Sequence, residues 1–365
     1  MKKTLLLIGG GQAHIEVLRQ LALNPPAEAD VALFNPSPSV LHSQMLPGVI
    51  AGHYEPAEAK LNLWALCQQA RVRFFETSVL ALNASNLVLE SGIGERHRFD
   101  YASLDVGGIS QPVAMSPGAY VVTVKPVDAL LTAIAEFESV RAASLMVRIV
   151  GNGAAALEVA LALAFRWRES SNRHVAIVAA TRLLVGYPPR VRSLALRACK
   201  KLGVVVLENK AVEYIEPTRL RLAGGEHIET QLTVLATAQA PVELLLKTDL
   251  TRSTDGSVQV NNNFQSSNHP HIFAAGDCAN ISGLTIPKSS VFSVRQGVPL
   301  AANLLATLTG APLAPYRHSA RGLTLLTLGD KHAIATISGL STAAKWAWRW
   351  KNSTDRNWIH RYTLD

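Results

Sequence analysis

The stretch LLLIGGGQAHIEVLRQ (residues 5–20) joins an aliphatic run to a cluster of glycines and then to an amphipathic pattern. A short aliphatic run is typical of a strand buried in a parallel sheet, and the apolar residues after the glycines recur at helical spacing. Gly9 and Gly11 stand at the junction, where a tight turn lets the backbone approach a phosphate at a helix N-terminus. His14 takes the third position of this fingerprint in place of Gly or Ala, so the loop alone also fits an ordinary tight turn.

A second unit of the same kind, VRIVGNGAAALE (147–158), carries Gly151, Gly153 and Ala156 in the fingerprint positions. The unit of strand, glycine loop and helix therefore occurs twice in the chain. Alternation of strands and helices favours parallel sheets covered by helices. The sequence predicts an α/β protein with two Rossmann-like dinucleotide-binding folds.

Two extended apolar segments that end in small residues, SLDVGGISQP and LTVLATAQAP, indicate chain crossings between domains near Pro112 and Pro241. The first fold would then be split around the second. The predicted organisation has three parts. The first domain is split into residues 1–112 and 242–310, the inner domain spans 113–241, and a C-terminal extension spans 311–365.

Composition narrows the class of protein further. The chain has 365 residues, 48% of them hydrophobic, and a net charge of +8, which favours anionic partners such as nucleotides, an anionic membrane surface or nucleic acid. Three distant cysteines, Cys67, Cys199 and Cys278, indicate a reducing, cytoplasmic location without disulfides, and there is no metal-type cluster of Cys and His. Since no apolar stretch approaches the ~20 residues of a spanning helix, we expect a soluble or surface-attached protein.

The ends of the second strands bear on the nucleotides. VALF ends at Asn35, where a carboxylate that binds a ribose is expected, although an amide can also bond a ribose. VAIV leads to Arg182 without any carboxylate, so this arginine either meets the 2′-phosphate of NADPH or is solvated or paired within the protein. The choice between NADH and NADPH stays open.

Together with the segment HIFAAGDCA (271–279), the two loops make the chain resemble the pyridine nucleotide-disulfide oxidoreductase superfamily, whose FAD domain carries a Gly-Asp box after the NAD domain. Within it, the chain is most similar to the FAD-containing NADH-dehydrogenase-like proteins that occur alone or fused to selenide, water dikinase. The segments that carry this likeness are GGGQAHIEVLR, HSQMLPGVIAGHY, PKSSVFSVRQG, GDKHAIA and KWAWRWKNSTDR. The resemblance implies FAD in the split domain and NADH or NADPH in the inner domain.

The resemblance also implies a set of binding residues. Asp277, after Gly276, would accept a hydrogen bond from a ribitol hydroxyl of FAD. A loop would lie along the isoalloxazine with His42, Ser43 and Gln44, shaped by Pro47. The other implied FAD contacts are Gly9, Gly11, His14, Asn35, Gly107 and Gln296. The implied nucleotide contacts are Gly151, Gly153, Ala156 and Arg182.

The same likeness predicts the chemistry. Disulfide reductases of the superfamily need two cysteines beside the flavin, and the corresponding segment SVLHSQMLPG (39–48) has none. Hydride transfer from nicotinamide to flavin remains. Lys288 and a helix starting near Ser290 would hold negative charge at the flavin pyrimidine edge, and Glu158 would lie near the nicotinamide carboxamide. The alternatives are a surface lysine and a helix-surface glutamate.

The electron acceptor is less determined. Type II NADH dehydrogenases use an Ala-Gln pair at the position of Ser290 and Val291, although Gln296 matches a second glutamine of that family. A quinone-like acceptor is therefore expected from general resemblance only. The alternatives are a reductase for a protein or selenium-metabolism partner and a non-catalytic FAD-binding interaction protein.

The C-terminal tail carries tryptophans at helical spacing, with basic residues beside them. The predicted stripe is Trp346, Trp350, Thr354 and Trp358, flanked by Lys345, Arg349, Lys351 and Arg356. Such a helix could lie in a lipid interface, which would place the protein at the cytoplasmic face of the inner membrane. It could equally pack on the FAD domain or on a homodimer mate, whereas nucleic-acid binding is not expected.

Overall fold

A computed structural model describes residues 2–27, 29–140, 144–318, 323–337 and 339–363. The elements of the first part are β1 (Lys3–Ile8), α1 (Gln12–Leu23), β2 (Ala29–Phe34), β3 (Ser39–Leu41), α2 (Leu46–Ile50), β4 (Lys60–Asn62), α3 (Leu63–Gln69), β5 (Arg73–Phe75), β6 (Val79–Asn83), β7 (Val88–Ser91), β8 (Arg96–Arg98), β9 (Tyr101–Leu104) and β10 (Ile109–Ser110).

The inner part follows with β11 (Ala114–Met115), β12 (Val121–Thr123), α4 (Val127–Ser139), β13 (Leu145–Val150), α5 (Ala154–Arg166), β14 (Arg173–Val178), α6 (Pro189–Lys201), β15 (Val205–Leu207), β16 (Val212–Ile215), β17 (Arg219–Leu222), β18 (His227–Glu229), β19 (Leu232–Leu235) and β20 (Gln239–Ala240). The remaining elements are α7 (Glu243–Leu246), β21 (Val258–Val260), β22 (Ile272–Ala274), β23 (Ala279–Ile281), α8 (Ser290–Thr309), β24 (Thr324–Thr327), β25 (Ala333–Ile337), β26 (Leu340–Ala344) and α9 (Lys345–Tyr362).

The first sheet has the strand order β22–β9–β1–β2–β5, and every pairing in it is parallel. Its central strand is β1, in which Leu5 to Ile8 are buried on both faces, as the aliphatic run predicts. Helices α1 and α8 pack against each other beside this sheet. Strand β22 completes the sheet after the whole inner part of the chain has intervened, so the first fold is split as expected.

The second sheet has the order β12–β19–β13–β14–β15 and is also parallel throughout. Its central strand β13 runs into the second glycine loop and then helix α5, most of whose residues are buried. Two parallel sheets, each with a glycine loop after its central strand, confirm the predicted fold class.

The chain crosses between the two folds twice, and the crossings lie side by side. Ile109 pairs with Ala240 and Ser110 with Gln239 in an antiparallel bridge between β10 and β20. The predicted boundaries near Pro112 and Pro241 follow directly after these strands and stay predictions. The β10–β20 pairing therefore lies at the carboxyl-terminal edges of the two sheets, where the glycine loops follow β1 and β13.

The C-terminal extension contacts both folds. Leu326 and Ile334 of the small antiparallel sheet β24–β25–β26 belong to the core of the inner fold, and Trp358 and Tyr362 of α9 belong to the core of the first. Among the helices formed by the described residues, none combines the length and hydropathy needed to cross a bilayer.

Candidate dinucleotide and redox site

The first glycine loop is closed by backbone contacts that leave no room for side chains. Gly9 has a φ of +89°, and a Cβ there would lie 2.5 Å from the carbonyl oxygen of Asp105. A Cβ on Gly11 would lie 2.2 Å from the carboxylate of the same aspartate. Glycine is therefore required at both positions, because any side chain there would collide with Asp105.

His14 is fully buried beneath this loop. Its Nδ1 donates to the carbonyl oxygen of Gly9 (2.7 Å), so Nε2 accepts from the Ser103 hydroxyl (2.8 Å). Burial lowers the pKa of His14 to about 4, which keeps the ring neutral. The imidazole replaces the third fingerprint glycine by bracing α1 against β1 and β9, and it offers no ring atom to a ligand.

Asp105, at the end of β9, was missed by sequence reasoning. Its carboxylate is 2% exposed and accepts hydrogen bonds from the amides of Ala13 (2.7 Å) and His14 (3.1 Å), in the first turn of α1. Burial raises the pKa of Asp105 to about 7, and the negative charge of Asp277 acts in the same direction. The available signal was a carboxylate placed directly after a buried aliphatic strand.

Asn35 lies at the end of β2, next to the same loop. Its Oδ1 accepts from the Gly10 amide (2.8 Å), and its Nδ2 donates to the carbonyl oxygen of Ser37 (2.7 Å). The side chain therefore holds the loop in shape. A ribose contact from this residue would have to share these groups.

The Gly-Asp box lies across the sheet edge from the loop. The Gly276 amide donates to Oε1 of buried Gln296 (2.7 Å). The Asp277 carboxylate accepts from Gln239 Nε2 (2.7 Å) and lies 3.4 Å from Lys125 Nζ. Gln239 of the second crossing and Lys125, which follows β12, thus meet the carboxylate that is expected to bind ribitol.

A cavity of about 220 Å³ opens between this box and the start of α8. A smaller cavity adjoins it, lined by Gly107, Gln239, Asp277 and Lys288. Gln239 Oε1 is buried in this region without a hydrogen-bond partner. A buried carboxylate beside an unpaired amide oxygen fits a ligand that carries hydroxyl donors, as the ribitol chain of FAD does.

Lys288 precedes α8, which begins at Ser290 as predicted. Its ammonium donates to Ser257 Oγ (3.0 Å) and to the carbonyl oxygen of Ala279, and it lies 3.8 Å from the Asp255 carboxylate. The lysine is therefore a partly buried, fixed charge beside the cavity and not a free surface side chain.

The second glycine loop repeats the close approach of the first. A Cβ on Gly151 would lie 2.1 Å from the carbonyl oxygen of Ala236, and Ala156 is buried directly behind it. Gly153 precedes α5 and faces open space. The loop accordingly leaves the N-terminus of α5 accessible to an anion.

Arg182 lies beyond this loop and lines a large cavity. The cavity has a volume of about 670 Å³ and is basic, lined by residues that include Arg182, Arg192, Arg197 and Lys200. Arg192 pairs with Glu208 (2.6 Å), whereas Arg182 is exposed. A bound phosphate group would meet positive charge here.

Glu158 lies in α5 and points toward the C-terminal extension. Its carboxylate accepts from the backbone amide (2.7 Å) and the hydroxyl (2.8 Å) of Thr327 in β24. Burial raises the pKa of Glu158, and the positive charge of Lys351 opposes the shift. The residue is thus a held, partly buried carboxylate and not the solvated helix-surface glutamate of the alternative.

The loop around His42 is covered by α9. The His42 ring stacks on Trp358 with 4.1 Å between centroids, while its Nδ1 lies 3.1 Å from Gln12 Oε1. Its Nε2 lies 3.7 Å from Asp355, and burial lowers the pKa of His42. Lys351 Nζ donates to Asp355 (2.6 Å) and to the carbonyl oxygen of Gln44 (2.7 Å).

The rest of this loop follows the prediction in position. Ser43 is partly buried, and Pro47 is buried in the first turn of α2. The predicted tryptophan stripe needs a correction, because Trp358 and the flanking Lys351 are buried against the protein. They are buried because His42, Gln44 and Asp355 pair with them. Only Trp346 and Trp350 remain as an exposed pair.

Two parallel sheets with closed glycine loops and a Gly-Asp box define a class: an oxidoreductase with two dinucleotide sites. The chain belongs to the pyridine nucleotide-disulphide oxidoreductase family, whose pattern matches residues 3–299. This assignment confirms the resemblance noted in the sequence and the predicted class of enzyme, which uses FAD and NAD(P)H. The Asp277 carboxylate and the unpaired Gln239 Oε1 fit FAD because both can accept hydrogen bonds from ribitol hydroxyls.

Individual relatives are distant. The chain is 23% identical to the NAD(P)H nitrite reductase of Bacillus subtilis. The alignment covers 78% of this chain but only 35% of that protein. It is 25% identical to demethylphylloquinone reductase NdbB of Synechocystis sp., covering 92% of this chain and 86% of that protein. The structure of NDH2 from Plasmodium falciparum in complex with NADH superposes with a TM-score of 0.83 at 12% identity, covering 99% and 97% of the two chains.

Proposed function

We propose that the chain oxidises NADH or NADPH and passes the electrons through FAD to a quinone-type acceptor. Bound FAD supplies the hydride acceptor and the outlet for electrons. The observation that carries the proposal is the position of Lys351, which bonds Gln44 of the first fold while its charge acts on Glu158 of the inner fold. One helix thus ties the predicted flavin-side loop to the predicted nicotinamide-side glutamate.

The first fold supplies the residues that would hold FAD. Gly9 and Gly11 bring the loop backbone close to the start of α1, where a pyrophosphate would bind and would share the Ala13 and His14 amides with Asp105. Asp277 accepts hydroxyl donors, and the unpaired Gln239 Oε1 is a second acceptor beside it. Lys288 adds a fixed positive charge near the start of α8, where electron density on a reduced ring would be stabilised.

The inner fold supplies the hydride donor site. Glu158 is held by Thr327, so its carboxyl group can accept the amide of a nicotinamide without reorganising. Arg182 and the basic cavity beyond it would receive the adenosine end. The exposed position of Arg182 suits a 2′-phosphate, which supports NADPH as a donor beside NADH.

Thiols take no part in the proposed electron path. Cys67, Cys199 and Cys278 are all buried and unbridged, and burial raises the pKa of each thiol to about 12. A thiol with so high a pKa supplies almost no thiolate near neutral pH. Electrons therefore leave from the flavin directly.

A quinone-type acceptor is supported by NdbB, a quinone reductase by name that aligns with 92% of this chain. Gln296 Oε1 accepts from the Gly276 amide, so a quinone carbonyl could bond this residue only through its Nε2. The exposed Trp346 and Trp350, with the exposed Lys345 and Arg349 beside them, form a surface suited to an anionic membrane in which a lipid quinone resides.

Steady-state turnover tests this function. The purified protein with FAD should oxidise NADH or NADPH rapidly when a soluble short-chain quinone is present and slowly when it is absent. Rapid turnover with a small electron-transfer protein or a selenium compound, and none with quinone, would instead favour the reductase for a protein or selenium partner. Bound FAD with no turnover under any condition would favour a non-catalytic role.

A further inference from the structure

The carboxylate of Asp105 already occupies part of the first anion site. It accepts from Ala13 N and His14 N, which are the first-turn amides of α1 that bind an anion at a helix N-terminus. The carboxylate also lies so close to two glycines that a Cβ on Gly11 would be 2.2 Å from it and a Cβ on Gly276 would be 2.3 Å from it. The group is therefore packed between the glycine loop and the Gly-Asp box, with 2% exposure.

The charged and titratable groups around it give little compensation. Asp277, across the box, is a second carboxylate and raises the free energy of the ionised form. Lys125 is the cation that opposes this, but its ammonium lies at Asp277 and is partly exposed. His14 of α1 is neutral because burial lowers its pKa to about 4, and the pKa of the Cys278 thiol is raised to about 12, so that thiol is also neutral.

We propose that Asp105 takes up a proton when FAD binds, so that the affinity for FAD falls as the pH rises above neutrality. A pyrophosphate at the start of α1 brings negative charge next to a buried carboxylate that shares the same amides. Repulsion between like charges in a buried site favours the neutral carboxyl. The inference rests on FAD binding at the first glycine loop, as proposed above.

The test uses the full-length apoprotein and FAD alone. The dissociation constant of FAD, measured by quenching of flavin fluorescence between pH 6 and 9, should increase by up to about tenfold per pH unit above neutrality. Asp105→Asn keeps the acceptor oxygen and removes the ionisation. The dissociation constant of FAD from this variant should therefore vary little with pH, and at pH 8 it should be lower than that of the wild type. FAD itself has no group that titrates near pH 7.

Asp249→Asn is the matched control, because Asp249 also accepts backbone amides, from Ala84 (2.9 Å) and Ser85 (3.0 Å). This variant should keep the wild-type slope. A wild-type dissociation constant that does not depend on pH, or a slope that persists in Asp105→Asn, overturns the proposal.

Calorimetry gives a readout that does not need a variant. Titration of FAD into wild-type protein at pH 8, in two buffers with different ionisation enthalpies, should show uptake of close to one proton per FAD. Binding without proton uptake overturns this inference and leaves the FAD site intact. Failure to bind FAD at any pH overturns both.

Discussion

The imidazole of His42 lies flat against the indole of Trp358, with 4.1 Å between ring centroids and 13° between planes. The contact joins the loop after β3 to the last turns of α9, at the opposite end of the sequence. Tyr362 reinforces it by donating to Glu16 of α1 (2.5 Å), and Tyr54 donates to Asn352 (2.8 Å). The C-terminal helix is therefore an integral wall of the candidate site.

Removal of the buried cation of α9 should destabilise the fold. In Lys351→Met the Asp355 carboxylate would stay buried without its partner at 2.6 Å, which costs about 3–5 kcal/mol. Lys345→Met, at an exposed position of the same helix, should change the free energy of unfolding by less than about 0.5 kcal/mol. Urea unfolding of the two variants measures the difference. Equal stabilities would show that α9 does not pack as described.

The inner-fold glutamate should matter for hydride transfer and not for flavin binding. Glu158→Gln keeps the size of the side chain and removes the charge, and we expect kcat/KM for the nicotinamide donor to fall by about tenfold or more, equivalent to about 1.4 kcal/mol. FAD content should be unchanged. Glu169→Gln, which alters an exposed carboxylate just after the same helix, is the control and should behave as wild type.

Arg182 should act on one nucleotide only. Loss of a charged contact to a phosphate costs about 1.5–3 kcal/mol, so Arg182→Ala should lower kcat/KM for NADPH by tenfold or more and leave NADH unaffected. Arg190→Ala, at an exposed position in the first turn of α6, should alter neither value. If Arg182→Ala affects both nucleotides equally, or neither, the arginine does not bind a 2′-phosphate.

The exposed tryptophans should govern membrane association. Trp346→Ser combined with Trp350→Ser should strongly reduce co-sedimentation with vesicles that contain anionic lipid, because both indoles are 51% exposed beside basic residues. Trp64→Ser removes an indole that is also 51% exposed but lies elsewhere on the surface. If Trp64→Ser weakens binding as much as the double variant, the effect is not specific to α9.

The stability of the apoprotein should show the titration of Asp105. The pKa of Asp105 is raised in the folded state to about 7. The protonated carboxyl therefore stabilises the fold fully below the ordinary pKa near 4, and this stabilisation is lost as the pH rises through 7. Asp105→Asn should therefore become more stable relative to wild type by up to about 1.4 kcal/mol per pH unit between pH 4 and 7, and then level off. Urea unfolding at several pH values measures this, and a constant difference would contradict it.

Local signals were enough to predict the fold. Gly9, Gly11 and Gly151 stand where close backbone contacts forbid a Cβ, and α8 starts at Ser290. These features depend on neighbours in sequence, on the period of the apolar residues and on the order of the motifs. The return of β22 to the first sheet follows from the same order.

Long-range partners could not be predicted in the same way. Lys351 and Asp355 look like a solvated i, i+4 pair in a polar helix, and only the packing of α9 on the His42 loop buries them. Asp105 likewise needs the start of α1, distant in sequence, to become an internal cap. His14 and Gln296 were predicted to contact FAD. Their side chains instead bond the first glycine loop and the Gly-Asp box, which are the segments expected to bind FAD.

Anaerobic titration followed by absorbance tests the central claim most directly. Protein loaded with FAD should be yellow, and stoichiometric NADH or NADPH should bleach the flavin band near 450 nm within seconds, with recovery on addition of a soluble quinone. A flavin band that neither nucleotide bleaches would contradict the account, because the two dinucleotide folds would then not exchange electrons.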